Sequence, residues 1–338
     1  MAANNPHDAL FHAVFSRIEN AVGELRAVLP ASIASRLDWT SLKLLDGHFV
    51  DEELSWRESD LVYSVLLQGH RVILYVLFEH QSTSDGWMVL RLLRYMTRIW
   101  DRWLADHSNA KSLPVILPVV LAHAEGGWRA PVSMHELFAL PEEVLAAVAP
   151  HVPQFRFVLD DLAERSDAEL RARALQALGI LALLLMRHAR EKQDLLHYVR
   201  EWADLFRQVW QAPNGREALG MLVRYVVLVS ERTKIQDLAR TLVPVLGDAA
   251  GEVVMTEGER LIQLGEARGE ARGRAEGEAR GRAQGRSAAL LAVFSARALP
   301  ISPELRERIA ACTDIALLDK WIARAATSAS AAEALSEA

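Results

Sequence analysis

Two acids, Asp60 and Glu79, stand where packing alone would not place acids. Asp60 lies at the start of the run Ser59-Asp60-Leu61-Val62-Tyr63-Ser64-Val65, and Glu79 closes the run from Arg71 through Ile73, Tyr75 and Leu77 to Phe78. Both runs are rich in β-branched and aromatic residues and read as strands. Gln68-Gly69-His70 between them has the polar, glycine-containing make-up of a hairpin loop. In an antiparallel hairpin the start of the first strand lies beside the end of the second, so the two carboxylates are expected to converge at one edge of a sheet. Convergent carboxylates on buried strands are costly unless a positive charge sits between them. A hard divalent cation with oxygen ligands meets that need. Gln81, two residues beyond Glu79, falls on the same face of the strand and adds an amide. Either acid alone reads as a solvated strand end; the pair, with Gln81, points to a cation site.

A basic stripe begins one short loop later. Trp87 to His107 reads as a long amphipathic helix with Leu92, Leu93, Met96, Ile99, Trp100, Trp103 and Leu104 on its apolar side. Arg91, Arg94, Arg98 and Arg102 recur at helical spacing and align along one face. Such a stripe is ordinarily a solvated face. Beside a cation site, it is what a phosphodiester substrate would need.

The elements that must hold these residues follow from periodicity. Asp8 to Leu29 has helical spacing at Leu10, Phe11, Val14, Phe15, Ile18, Val22 and Leu25, and Pro30 stops it. Pro30 to Leu37 gives a short helix, and Leu42 to Val50 a first strand. Leu113 to Ala122 is a further strand, in which Pro118 argues for an edge position or a bulge. His123 ends that strand and reads as structural. The order helix, strand, hairpin, helix, strand defines an α/β core with a mixed sheet.

From about Asp160 onward strand signals give way to helices at 167–190, 194–211 and 216–230, with Ala177 to Leu185 as a buried core helix. Gly265 to Arg286 is a charged repeat with a glycine at every fourth position. Each glycine costs a helix ~1 kcal/mol relative to alanine, so in isolation this stretch is expected to be a marginal helix, a solvated arm. Residues 288–299 and 303–325 read as a small helical unit, and Ser328 to Ala338 as a frayed tail. The expected organisation is a core over 1–165, a helical region over 166–250, the repeat arm over 251–286 and a C-terminal helical unit over 287–338. The helical C-terminal region is the expected route to a homo-oligomer.

Composition bounds the surroundings. Of the 338 residues, 51% are hydrophobic and 24% charged, as in an ordinary globular protein. A net charge of −6 argues against wholesale coating of nucleic acid but leaves room for a local basic surface. The single cysteine, Cys312, forbids an intrachain disulfide and fits a reducing compartment. Met1 to Asp8 lacks a basic region followed by an apolar core, and the longest apolar run, Ala177 to Met186, is about half a membrane span. A cytoplasmic location without a membrane partner is therefore expected.

Several separate stretches of the first 165 residues resemble the recombination-promoting nuclease (Rpn), or YhgA-like transposase, family of the PD-(D/E)XK nuclease superfamily. They are His7-Asp8-Ala9-Leu10-Phe11, Leu29-Pro30, Leu37-Asp38-Trp39, Phe49-Val50-Asp51-Glu52-Glu53-Leu54, Ser59-Asp60-Leu61-Val62-Tyr63, Glu79-His80-Gln81-Ser82, Arg91-Leu92-Leu93-Arg94-Tyr95-Met96 and Leu117-Pro118-Val119-Val120. The glycine-rich repeat and helical tail are similar to the family's C-terminal part. The resemblance implies a restriction-endonuclease-like core, DNA as partner and Mg²⁺ (or Mn²⁺) as cofactor. It implies Asp60 and Glu79 as catalytic metal ligands, with the backbone carbonyl of His80 as a further ligand. It puts Gln81 at the position of the superfamily's lysine, where it can orient a water but brings no charge. Asp8 matches an N-terminal acid with an outer-shell role, and Arg91, Arg94 and Arg98 are the residues expected to contact DNA. A transposase with an RNase H-like core fits poorly, because that chemistry needs three acids on widely separated elements. A nuclease scaffold whose catalysis has lapsed remains the alternative reading.

Overall fold

The computed structural model describes residues 5–45, 60–79, 84–189, 195–230 and 232–336, with Phe78, Glu79 and Arg268 described in their backbone only. Five strands form one sheet in sequence order: β1 (Leu37–Leu44), β2 (Leu61–Leu67), β3 (His70–Glu79), β4 (Val115–Ala122) and β5 (Val158–Asp161). β1–β2 and β2–β3 are antiparallel, while β3–β4 and β4–β5 are parallel. The sheet is therefore mixed, as its sequence order implied. The β2–β3 turn has two residues, Gln68 at φ 50° and Gly69 at φ 84°, with His70 already paired to Leu67. Two positive φ values match the right-handed twist of a hairpin, which is where a glycine is needed.

The first strand begins earlier than the expected Leu42, at Leu37; the Asp46–Val50 part of that expectation lies outside the described residues. Leu37, Trp39 and Leu42 are buried, and the register shifts between Asp38 and Lys43. At that shift the Asp38 carboxylate accepts from the Thr40 amide and hydroxyl, while Ser41 Oγ accepts the Leu66 amide. Pro118 does not mark an edge strand, because β4 lies between β3 and β5. Pairing with β5 begins at Val119, one residue on, so one flank of β4 is uncovered at Pro118. That local opening is the circumstance in which an interior strand accommodates proline. β5, with two acids in four residues, carries no legible strand signal.

Helices cover both faces of the sheet. On one face lie α1 (Pro6–Phe15), α2 (Ile18–Val28) and the short α3 (Ala31–Ala34). The other face receives α4 (Met88–Asp106), and α5 (Met134–Leu137) and α6 (Glu142–Val148) lie in the β4–β5 connection. The chain then runs through α7 (Asp167–Arg171), α8 (Ala177–His188), α9 (Leu195–Glu201), α10 (Ala203–Gln211), α11 (Gly215–Val229) and α12 (Ile235–Leu246). The larger core joins Leu10, Phe11, Val14, Tyr63, Leu74 and Leu121 to Leu181, Trp202, Phe206 and Leu222. The smaller one joins Val62, Ile73, Tyr75 and Leu77 to Leu92, Met96 and Ile99 of α4. β3 contributes to both, which explains its almost wholly apolar sequence.

The expected helix over Asp8–Leu29 is two helices. Arg17 adopts an extended conformation (φ −81°, ψ 117°) as cap of α2, and the fully buried Asn20 amide donates to the Val14 carbonyl that the break exposes. The expected helix over 167–190 is likewise divided, between α7 and α8, and Arg173 in the break enters a buried ion cluster. Its guanidinium donates to Asp160 at 2.8 and 2.9 Å and to Glu24 at 2.6 Å, and Arg165 donates to Asp160 at 3.0 Å. Glu24 and Asp160 expose only 8% and 1% of their side chains.

Contacts divide the chain into two compact units, Met1–Gly258 and Glu259–Ala338, with the boundary inside the 49-residue α13 (Asp248–Ala296). The second unit has its own core: Leu290 and Phe294 pack with Ile309 of α14 (Pro303–Ala311) and with Leu318 and Trp321 of α15 (Ile315–Ala325). The tail is not frayed through Ser336. Ser330 caps α16 (Ala331–Ala334), and Ala331, Ala334 and Leu335 are buried in this core. Among the described residues no helix is long and apolar enough to cross a membrane.

The glycine repeat is helical throughout. Ala250 and Val254 are buried at one end of α13, and Leu290 and Phe294 at the other, so the costly nucleation is met outside the repeat. Ion pairs Glu270–Arg274 (2.6 Å) and Arg272–Glu276 (3.6 Å) add modest support. A Cβ at Gly269 or Gly273 would meet nothing within 4 Å. Gly269→Ala and Gly273→Ala are therefore expected to stabilise the helix by ~1 kcal/mol each. Circular dichroism should show helicity surviving to higher temperature, and a loss of helicity would contradict the open surroundings.

Candidate active site

Asp60 immediately precedes β2 and is 6% exposed. Extending the pairing Leu61↔Val76 by one residue sets Asp60 across from Leu77. Glu79 is two residues further along β3, so strand alternation places its position on the same face, diagonal to Asp60. This is the face packed under α4, shared with Val62, Ile73, Tyr75 and Leu77. Gln81 and His80 lie outside the described residues.

Sequence reasoning missed the group that holds Asp60. The Tyr75 hydroxyl donates to Asp60 Oδ2 at 2.7 Å, and the Tyr75 ring packs on Tyr95 with centroids 5.5 Å apart. Burial, then the charge of Asp60, pushes the Tyr75 phenol well above its usual range, so it stays a donor. Strand alternation could have found the pair, since Asp60 and Tyr75 lie on one face of adjacent strands.

The arginine stripe divides. Asp85 Oδ2 accepts from Arg91 Nη1 at 3.0 Å, while its Oδ1 accepts the Trp87 amide at 2.8 Å. Arg91 is thereby fixed beside the first turn of α4, and its charge acts on Tyr75. Arg102 pairs with Asp106 at 3.1 Å. Arg94 is exposed, and Arg98 is half-buried with a buried Nη1 that has no hydrogen-bond partner among the described residues. Asp85, one turn before the helix proper, was the unread partner; an acid ahead of a helix start was the available signal.

Across the sheet, Glu79 pairs with Ala122 and Ala122 with Asp161, which sets these three positions in a row at one end. Asp161 accepts the amides of Trp128 and Ala163. Burial pushes its carboxyl up against the pull of those two amides. It thereby anchors the loop after β4, in which Gly127 has φ +81° and a Cβ would lie 2.6 Å from Glu164 Oε1. Ser84 Oγ accepts the Arg129 amide at 3.0 Å, tying that loop to the segment leading into α4. Asp8 sits in the first turn of α1, 8% exposed, on the helix that packs against the opposite face of the sheet. Its neighbour His7 meets the Tyr225 hydroxyl at 2.9 Å and packs edge-on to His123. His123 is itself buried, and its Nε2 donates to the Arg187 carbonyl at 3.1 Å. Among the described residues no three or more His, Cys, Asp or Glu side chains group to hold a metal ion; Asp60 is described there without the side chain of Glu79.

A mixed five-stranded sheet between helices, followed by a helical C-terminal region, makes this an α/β protein of the PD-(D/E)XK type. The family model described as "Putative transposase, YhgA-like" matches residues 5–217, and the chain belongs to that family. It is 32% identical over 197 residues to "Recombination-promoting nuclease RpnC" of Escherichia coli K12, covering 57% of this chain and 62% of RpnC. It is 28% identical over 258 residues to "Recombination-promoting nuclease RpnD" of Escherichia coli O157:H7, covering 76% of this chain and 94% of RpnD. It is also 38% identical over 92 residues to the K12 protein named "Putative inactive recombination-promoting nuclease-like protein YjiP", covering 27% of this chain and 89% of YjiP. No solved structure matches the chain.

Proposed function

We propose that this protein is a metal-dependent DNA endonuclease that cleaves phosphodiester bonds and thereby promotes recombination. The observation that carries the reading is Asp60, a carboxylate buried to 6% exposure, aimed by the Tyr75 hydroxyl on the face where Glu79 stands diagonally opposite. Its relatives named as recombination-promoting nucleases support the same reading.

The donor set fits a hard cation. Asp60 offers a carboxylate oriented by Tyr75, and Glu79 at the end of β3, with the His80 carbonyl and Gln81 after it in the sequence, would add oxygens. Mg²⁺ or Mn²⁺ held by Asp60, Glu79 and the His80 carbonyl would supply Lewis-acid polarisation of the phosphate and a lowered pKa for a bound water. Tyr75 keeps Asp60 oriented. Gln81 orients the attacking water without adding charge. Asp8, on the helix of the opposite face, would serve as an outer acid. Arg91, held by Asp85, and the more outlying Arg94 and Arg98 contact phosphates.

A plasmid-nicking assay with Mg²⁺, and with EDTA as control, tests this reading. The relative named as inactive favours one alternative, a nuclease-fold DNA-binding or assembly protein without catalysis. That protein would bind DNA and cut nothing. On the leading reading, replacing Arg94 and Arg98 with Gln weakens DNA binding across sequences and lowers the log–log salt slope by roughly one unit per lost contact. A loss confined to one DNA sequence would contradict phosphate contact.

A further inference from the structure

Trp87 is the most exposed large apolar side chain among the described residues, at 66%. Its place is unusual for a stray surface aromatic. It caps α4, on the connection that leads from Gln81 into that helix. It is also held at both ends of its backbone. The Asp85 carboxylate accepts its amide at 2.8 Å, and its carbonyl accepts the Arg91 amide at 2.9 Å. The same Asp85 carboxylate fixes the Arg91 guanidinium. Through Ser84, the connection also bonds the loop bearing the exposed Arg129. An exposed indole thus stands at the start of α4, with Arg91 and Arg94 one and two turns further along the same helix and the exposed Arg129 and Glu125 on the loop bonded to Ser84.

An exposed indole on a helix that carries arginines at the following turns matches a nucleotide, which offers an aromatic face next to a phosphate. Stacked bases inside a duplex present only their edges, so an exposed indole finds a full face only on an unpaired base. We propose that Trp87 forms a base-stacking subsite that takes an unpaired nucleobase of a DNA strand, with the neighbouring arginines on the flanking phosphates. This rests on the DNA reading above and narrows it: the preferred substrate carries single-stranded or locally opened DNA at the reaction edge.

The test uses the full chain and two fluorescent probes, an oligo-dT strand and a duplex of equal length, read by anisotropy in EDTA. Trp87→Ala is expected to weaken oligo-dT binding by at least about fivefold, the loss typical of one stacked base. Trp87→Phe should recover most of it, and duplex binding should change less than twofold. A thermal melt checks the fold, which an exposed side chain should not disturb. Unchanged oligo-dT binding in Trp87→Ala overturns the proposal, as does an equal loss on duplex or a wild-type protein that does not bind oligo-dT. Cleavage is read separately with Mg²⁺. Absent cleavage with Trp87-dependent binding intact rejects the endonuclease reading and leaves the stacking subsite standing.

Discussion

Asp60→Asn and Glu79→Gln are each expected to reduce Mg²⁺-dependent plasmid cleavage by at least about 100-fold, the order seen when a metal-bound nucleophile is lost. Both changes keep the shape of the side chain, and the amide oxygen of Asn can still accept the Tyr75 hydroxyl. The apo melting temperature should therefore stay level or rise slightly, because on the shared-metal reading the substitution relieves repulsion between two like charges. Wild type should melt higher with Mg²⁺ or Mn²⁺ than without, as linkage requires of a ligand bound only when folded, and neither variant should show that rise. Two solvated strand-end acids would give no change in any of these quantities. A wild-type protein that cuts no DNA and whose melting ignores both cations would leave only the assembly reading.

The second large effect concerns Arg173. Its guanidinium serves two carboxylates, Asp160 through two nitrogens and Glu24 through one, in a site where all three side chains are at most 8% exposed. Arg173→Met leaves Glu24 without its arginine and Asp160 with Arg165 alone, and should cost about 3–5 kcal/mol. For a unit of this size, that is a fall of roughly 6–20 °C in melting temperature.

The cluster also gives stability a pH dependence. Asp160 takes both Arg173 and Arg165, and those contacts hold its carboxyl below its usual value. Glu24 has only a share of one arginine, and burial pushes its carboxyl up to about 8. Below the ordinary glutamate value of 4.5, folded and unfolded chains both carry the Glu24 proton. Between there and about pH 8 the folded chain keeps a proton that the unfolded chain has released, so stability falls as pH rises through that window. Asp160 acts oppositely, and its contribution disappears only as pH falls below its ordinary carboxylate range. Glu24→Gln should flatten the decline in melting temperature between pH 5 and 8 while leaving pH 5 stability nearly unchanged. An identical slope in the two proteins would assign the pH dependence elsewhere.

Local pattern reached the hairpin and the helix that packs on it, because strand alternation and helical spacing are written in neighbouring residues. It stopped where partners are distant or the element is short. Glu24 and Arg173 lie 149 residues apart, and nothing near either announces the other. Val158–Asp161 is four residues with two acids, one turned to the ion cluster and one to the Gly127 loop, so its period cannot be read. The arginine stripe was legible as a stripe, but its division was not. Asp85 takes Arg91 and Asp106 takes Arg102, whereas Arg94 remains in water. Helix breaks at Arg17 and Arg173 were equally silent, since a buried amide and a buried ion pair, rather than proline or glycine, decide them.

The packing of α1 against α8 and α11 has a consequence for the order in which this chain is made. The sheet is finished at Asp161, yet the face that receives α1 is completed only by α8, ending at His188, and by α11, ending at Val229. The His7–Tyr225 bond spans 218 residues. At a synthesis rate of about 5–20 residues per second, the interval from Asp161 to Val229 lasts roughly 3–14 s. Throughout that interval the apolar face of Leu61, Tyr63, Leu74 and Leu121 lacks its final cover. Non-local closure of this kind is slow and leaves the nascent sheet open to aggregation. The α1 face of the sheet would thus gain its full cover only after the ribosome has passed the eleventh helix.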